Sequence, residues 1–118
     1  MPNIISPEAI ELSAPHHPRV SAWRLGALAA HQTLGDPRKW TVTHLPSGLH
    51  FGFFWTSRLR ALAAMQKIAE LTPDWPRLKP FEIEQHGTSV YRICKETHGQ
   101  RFSFIPRVAS PKGKFNGY

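Results

Sequence analysis

The stretch WTVTHLPSGLHFGFFWTSRLRALAAMQKIAEL, residues 40–71, decides the fold. Trp40, Val42 and His44 alternate onto one side of a strand, Pro46-Ser47-Gly48 breaks and reverses the chain, and Leu49, Phe51, Phe53 and Trp55 resume the alternation. After Thr56 and Ser57 the period changes from two to about 3.6. Ala61, Ala64, Met65, Ile68 and Leu71 then fall on one helical stripe, with Leu62 at its margin. Thr56 or Ser57 can accept a backbone N–H at the start, and Thr72-Pro73 stops the helix. These signals predict a ββα unit whose helix, residues 57–71, packs on the aromatic face of the hairpin. Arg60 and Lys67, seven apart, share another side that solvent or a polyanion can reach.

Working outward, Gly35-Asp36-Pro37 reads as a turn that feeds the strand at Trp40 from an earlier one. The region Val20 to Leu34 can be read as an alanine-favoured helix, but Gly26 in mid-helix costs about 1 kcal/mol against alanine. The strand reading is preferred: Trp23, Leu25, Ala27 and Ala29 share a face, and the short turn makes an antiparallel meander. Residues 1–20 form an extended lead-in, in which Ala9 to Leu12 can pair as an edge strand while Pro15 and Pro18 exclude helix. After Asp74-Trp75-Pro76, alternation predicts strands at Phe81 to Gln85, Val90 to Lys95 and Arg101 to Ile105, separated by turns at His86-Gly87-Thr88 and Thr97-His98-Gly99-Gln100. Phe102 and Phe104 share a face of the last strand. Residues 106–118, with Pro106, Pro111, Gly113 and Gly117, are expected to be a flexible basic tail. The sum is a single α+β domain, a mostly antiparallel sheet of about five or six strands on one main helix.

Composition narrows the function classes. At 118 residues, with a 41% hydrophobic fraction, seven Phe, four Trp and two Tyr, the chain can bury a core and is not of disordered type. Cys94 is the one cysteine, so neither an intramolecular disulfide nor a cysteine zinc site can form within the chain. The absence of a long apolar run or a leader-like start predicts a soluble, cytoplasmic protein without membrane contact. The formal net charge is +7, and nothing acidic follows Glu96, whereas Arg101, Arg107, Lys112 and Lys114 do. Such a surface attracts phosphate backbones or acidic protein faces.

Catalytic signatures are missing. No HExxH, GxSxG, GxxxxGK[ST] or GxGxxG occurs, and Glu82 and Glu84, two apart on the expected strand face beside Arg77 and Lys79, read as surface charge pairs. Cys94 reads as a buried, inert thiol. Seven histidines invite a metal, but none has ligand spacing; His44 and His50 flank the hairpin turn and can approach each other, with one satisfied by backbone and the other in solvent as the preferred reading. No cofactor, metal or catalytic residue is assigned, and the chain is expected not to be an enzyme.

WTVTHLPSG, with the preceding WRLGALAAH, resembles a pattern of small uncharacterised proteins of bacterial phages and plasmids, over about residues 23–71. The turn and helix are also similar to ββα units of integrase arm-binding domains, in which a strand ending in an aromatic precedes a Thr/Ser-capped, Ala-rich helix. The resemblance implies a mobile-element setting, where such proteins serve as DNA-binding accessories or as inhibitors of host defence such as anti-CRISPR proteins. Neither likeness carries catalytic residues. Two functions are therefore expected. The first is nucleic-acid binding, DNA or RNA, in which Arg58, Arg60, Lys67, Arg101, Arg107, Lys112 and Lys114 meet phosphates and Phe115 and Tyr118 offer rings. The alternative is a protein-binding inhibitor of a host nuclease or defence complex, which uses the same cations with the Trp75 loop or the Phe115–Tyr118 tail as aromatic anchor.

Overall fold

The computed structural model describes residues 5–12 and 19–102. The chain enters as a meander of strands β1 (Ser6–Glu11), β2 (Arg19–Leu25), β3 (Leu28–Gln32), β4 (Trp40–His44) and β5 (Leu49–His50), each antiparallel to the one before. Strand β6 (Phe53–Phe54) pairs with β7 (Gln100–Arg101) as a second, two-stranded sheet, and helices α1 (Arg58–Ala69), α2 (Pro80–Glu84) and α3 (Gly87–Glu96) complete an α+β fold. A 3-10 turn at Trp75–Arg77 joins α1 to α2.

The edge strand forms, from Ser6 rather than Ala9. The region Val20 to Leu34 is not one strand but a hairpin, because Gly26-Ala27 reverses the chain and sets Leu25 opposite Leu28. Gly26 has φ +61°, at the first central position of a two-residue loop, where glycine meets no Cβ penalty. The reversal moves Ala29 away from the face shared by Trp23 and Leu25. Leu28 and Ala30 face α1, while Ala29 packs with Ile10, Leu12 and Ala22 on the other side. Strand β3 is thus buried on both faces.

Helix α1 follows the expected stripe: Ala61, Ala64, Met65 and Ile68 are fully buried against Leu25, Leu28, Ala30 and Val42. Two alanines in the stripe let the helix axis approach the sheet closely. Ser57, not Thr56, caps it, its hydroxyl accepting from the Arg60 N–H at 3.4 Å.

The strands expected at Phe81 to Gln85 and Val90 to Lys95 are helices α2 and α3. Helix-start signals lay within the first segment: Pro80 occupies the first helical position, where its missing N–H costs nothing, and the Glu82 carboxylate accepts from the Lys79 N–H at 2.9 Å. Glu82 and Glu84 therefore belong to a short helix, and Phe81 points outward at 63% exposure. In α3 and its C-cap, Val90, Ile93, Cys94 and Thr97 are buried at i, i+3, i+4 and i+7, a helical stripe that overrides the alternation of Tyr91 and Ile93.

Trp55 closes the structure. Its backbone exchanges hydrogen bonds with Trp40 at 2.7 and 2.8 Å, which ties the second sheet to β4. Its indole N–H donates to Thr97 Oγ1 at 3.0 Å, and that hydroxyl donates back to Ile93 O at 2.8 Å. Helix α3 ends in a Schellman motif, with Gly99 N–H on Cys94 O at 2.7 Å, His98 N–H on Lys95 O at 3.1 Å, and His98 in the left-handed region at φ 65°. A Cβ on Gly99 would lie 2.9 Å from Cys94 O and 3.0 Å from the Trp55 ring. Gly99→Ala is expected to cost about 1–3 kcal/mol by overpacking. His98→Gly, which relieves the left-handed Cβ, is expected to stabilise by about 0.5–1 kcal/mol. Urea unfolding midpoints check both: the first falls and the second rises.

Candidate functional site

A break in one strand builds the main cleft. Thr43 pairs with His50, yet Trp40 bridges Trp55, so the strand opposite β4 carries two more residues than β4 does between these pairings. Thr41 Oγ1 donates to Phe53 O at 2.8 Å and Phe51 N–H reaches Val42 O at 3.3 Å, which keeps the broken ladder hydrogen-bonded. The bulge makes one wall from Leu49 to Phe53. Helices α2 and α3 supply the other through Ile83, Glu84, Val90 and Tyr91, and Arg101 of β7 closes the end. The cleft encloses about 470 Å³, within the range of small-ligand pockets.

The charged groups at this cleft meet no ion-pair partner among the described residues. The Arg101 guanidinium lies over the Phe53 ring at 5.8 Å, Tyr91 meets the same ring edge-on at 5.7 Å, and Lys95 Nζ stands 6.0 Å from the Tyr91 ring. These contacts form a continuous line of cation, ring, ring and cation along the mouth. Arg101, Tyr91 and Lys95 are all exposed, as is Arg92 on the same helix. Glu84 of α2 lines the same cleft without an ion pair or hydrogen bond.

Of the residues expected to bind, only Arg101 lies in this site. Arg58 stacks on Trp23 of β2 at 5.2 Å, with β3, β4 and the β5/β6 strand between it and β7. Arg60 is exposed on α1, and Lys67 reaches Glu96 of α3 at 4.0 Å. Arg107, Lys112, Lys114, Phe115 and Tyr118 lie outside the described residues, as do Phe104 and the whole of 106–118. Three other cations are spent on neighbours, Arg24 on Glu8 at 2.8 Å, Arg38 on Asp36 at 3.1 Å, and Arg77 on Asp74, whereas Arg19, Lys39, Lys79 and Arg92 have no ion pair among the described residues. The described cations are therefore scattered. Tyr91, Arg92 and Lys95 were missed because a strand reading of Val90 to Lys95 puts Arg92 on the opposite face and does not make the segment a cleft wall; on a helix, positions 91, 92 and 95 share one side.

Two expected features change character. Trp75 is no exposed anchor: it is 3% exposed, donates its indole N–H to Ile68 O at 2.9 Å, and packs on Phe51 and His86. Its carbonyl accepts from His44 Nε2–H at 2.6 Å, and His44 Nδ1 faces Ser47 Oγ at 2.8 Å. His44 and His50 occupy adjacent register positions on opposite faces of the sheet and do not meet. Cys94 is fully buried, and burial pushes its thiol up to about 12, which leaves it protonated and unreactive. Among the described residues no three His, Cys, Asp or Glu side chains gather as a metal site, and no helix is long and apolar enough to cross a membrane.

The chain matches no family model, no curated protein and no solved structure.

His50 instead shares a face with His31. His31 Nε2 lies 2.8 Å from Thr43 Oγ1, Thr43 is paired with His50, and the His50 ring packs on Phe102 at 5.0 Å. Burial lowers the pKa of His31, and partial desolvation followed by the proximity of His31 lowers that of the more exposed His50. A histidine depressed in the folded state binds fewer protons there than in the unfolded chain, so stability is full above about pH 6.5 and is lost as pH falls below it. The urea midpoint is expected to hold steady from neutral to mildly alkaline pH and to drop in the acid range. The His31→Gln variant flattens that drop; an unchanged acid limb refutes the assignment.

Proposed function

We propose that this protein is a non-enzymatic binder of single-stranded nucleic acid, with the Arg101–Phe53–Tyr91–Lys95 line at the mouth of the cleft as its contact surface. The observation that carries this reading is the juxtaposition of unpaired cations with an exposed ring beside an apolar recess. Single-strand binders combine cations that track phosphates with rings that stack bases. The recess is walled by the bulged strand and by helices α2 and α3, a concave form that suits a splayed base better than a duplex. From Phe102 the sequence runs on through Arg107, Lys112 and Lys114 with no acid, so further positive charge is covalently next to Arg101.

The exposed side chains of Leu49, Phe81 and Tyr91, on or beside the cleft walls, favour a second reading, an acidic protein surface with an apolar anchor. Fluorescence anisotropy with labelled single- and double-stranded DNA and RNA separates the two. Single strands are expected to bind more tightly than duplexes, with affinity falling steeply between about 50 and 200 mM salt. Arg101→Ala and Lys95→Ala should each reduce the salt slope by about 0.7, and Tyr91→Ala should weaken binding about 5- to 150-fold, with circular dichroism confirming the fold. Absence of binding at low salt, or binding indifferent to all three variants, overturns the nucleic-acid reading in favour of the protein surface.

A further inference from the structure

We infer that the cleft seats one unstacked guanine and that Glu84 reads its Watson–Crick edge, a specificity that rests on the nucleic-acid reading above.

Glu8, Asp36, Asp74 and Glu96 are paired with cations, Glu82 caps α2, and Glu70 accepts from Gln66 at 3.4 Å. Among the described residues this leaves Glu11 and Glu84 without a polar partner, and only Glu84 lines the cleft. A free carboxylate at the mouth of a phosphate-binding surface weakens non-selective binding by repulsion. It contributes when the ligand brings hydrogen-bond donors to it, which makes it an element of selection.

An ionised carboxylate only accepts, and its two oxygens suit two parallel donors. Guanine alone among the common bases presents two adjacent donors on its Watson–Crick edge, the ring N–H and the exocyclic amine. Adenine and cytosine each set a donor beside an acceptor, and thymine or uracil sets a donor between acceptors. The remaining surfaces match the rest of a guanine nucleotide. Leu49, Phe51, Ile83 and Val90 give an apolar recess for the ring faces, Tyr91 gives an exposed ring at the mouth for stacking, and Arg101, free of any ion pair, gives a fork for the phosphate. Glu84 on α2 and Arg101 on β7 line the same recess, so one nucleotide can meet the first with its base edge and the second with its phosphate.

The test uses the full chain and short oligo-dT probes that carry one central dG, dA, dC, dT or deoxyinosine, the last lacking the exocyclic amine. The dG probe is expected to bind about 5- to 150-fold more tightly than the dA, dC and dT probes, with deoxyinosine between. Glu84→Gln should erase that preference while raising affinity for the other probes, since a negative charge is removed; the exposed position leaves the fold unperturbed by circular dichroism. Equal binding of all five probes by the native chain overturns the guanine assignment and leaves single-strand binding standing. A preference for dG that survives Glu84→Gln removes Glu84 as its reader. Failure of every probe to bind at low salt overturns the underlying reading itself.

Discussion

Trp55 is the constraint on which the rest of the structure depends. Its main chain joins β4 to the strand that leads into the second sheet, its indole N–H is satisfied by Thr97, forty-two residues later, and its ring is the surface against which Gly99 is pressed. A buried indole N–H without an acceptor costs about 1–3 kcal/mol, so this single ring fixes where α3 must end. The Schellman motif at His98 and Gly99 then turns the chain back, and β7 reaches β6. Without that return, Arg101 would not stand over Phe53.

A second clamp holds the opposite end of α1. His44 is fully buried between Ser47 of the hairpin turn and the carbonyl of Trp75, while the Trp75 indole donates to Ile68 at the end of α1. Each buried polar atom in this group meets its partner, so a polar cluster sits beside the apolar stripe of α1 at little cost. The arrangement explains why conspicuous His and Trp residues are structural here. The 3-10 turn that carries Trp75 also delivers α2 to the cleft wall.

The cleft is a by-product of register. Two extra residues between the His50 and Trp55 pairings preserve the inward phase of Phe51, Phe53 and Trp55 while displacing the backbone outward. An insertion of one residue would have turned the apolar side chains to the wrong face. Of the described cations, Arg24, Arg38, Lys67 and Arg77 are paired locally; at the cleft the unpaired Arg101 and Lys95 stand against rings, with the unpaired Glu84 in the same lining. Exposed surface pairs such as Arg38 with Asp36 are screened by solvent and serve mainly to neutralise.

Much of the architecture was legible in residues 40–71. A strict alternation, a Pro-Ser-Gly turn and an eleven-residue apolar stripe at helical spacing each admit one reading, so the hairpin, the helix and its apolar face follow from local chemistry. The excess of cations was equally plain. Residues 80–96 were not legible in the same way, because segments of five to ten residues satisfy both periods: Phe81, Ile83 and Gln85 alternate, yet Pro80 and Glu82 start a helix, and Val90, Ile93, Cys94 and Thr97 keep a helical stripe that only burial against Trp55 reveals. The site lies largely in that ambiguous region. Sequence by itself determined which groups were available, Arg101, Tyr91, Lys95 and Glu84 among them. Tertiary structure alone decided that they share one cleft, because their meeting depends on a two-residue strand offset and on one indole hydrogen bond, neither of which leaves a periodic trace in the chain.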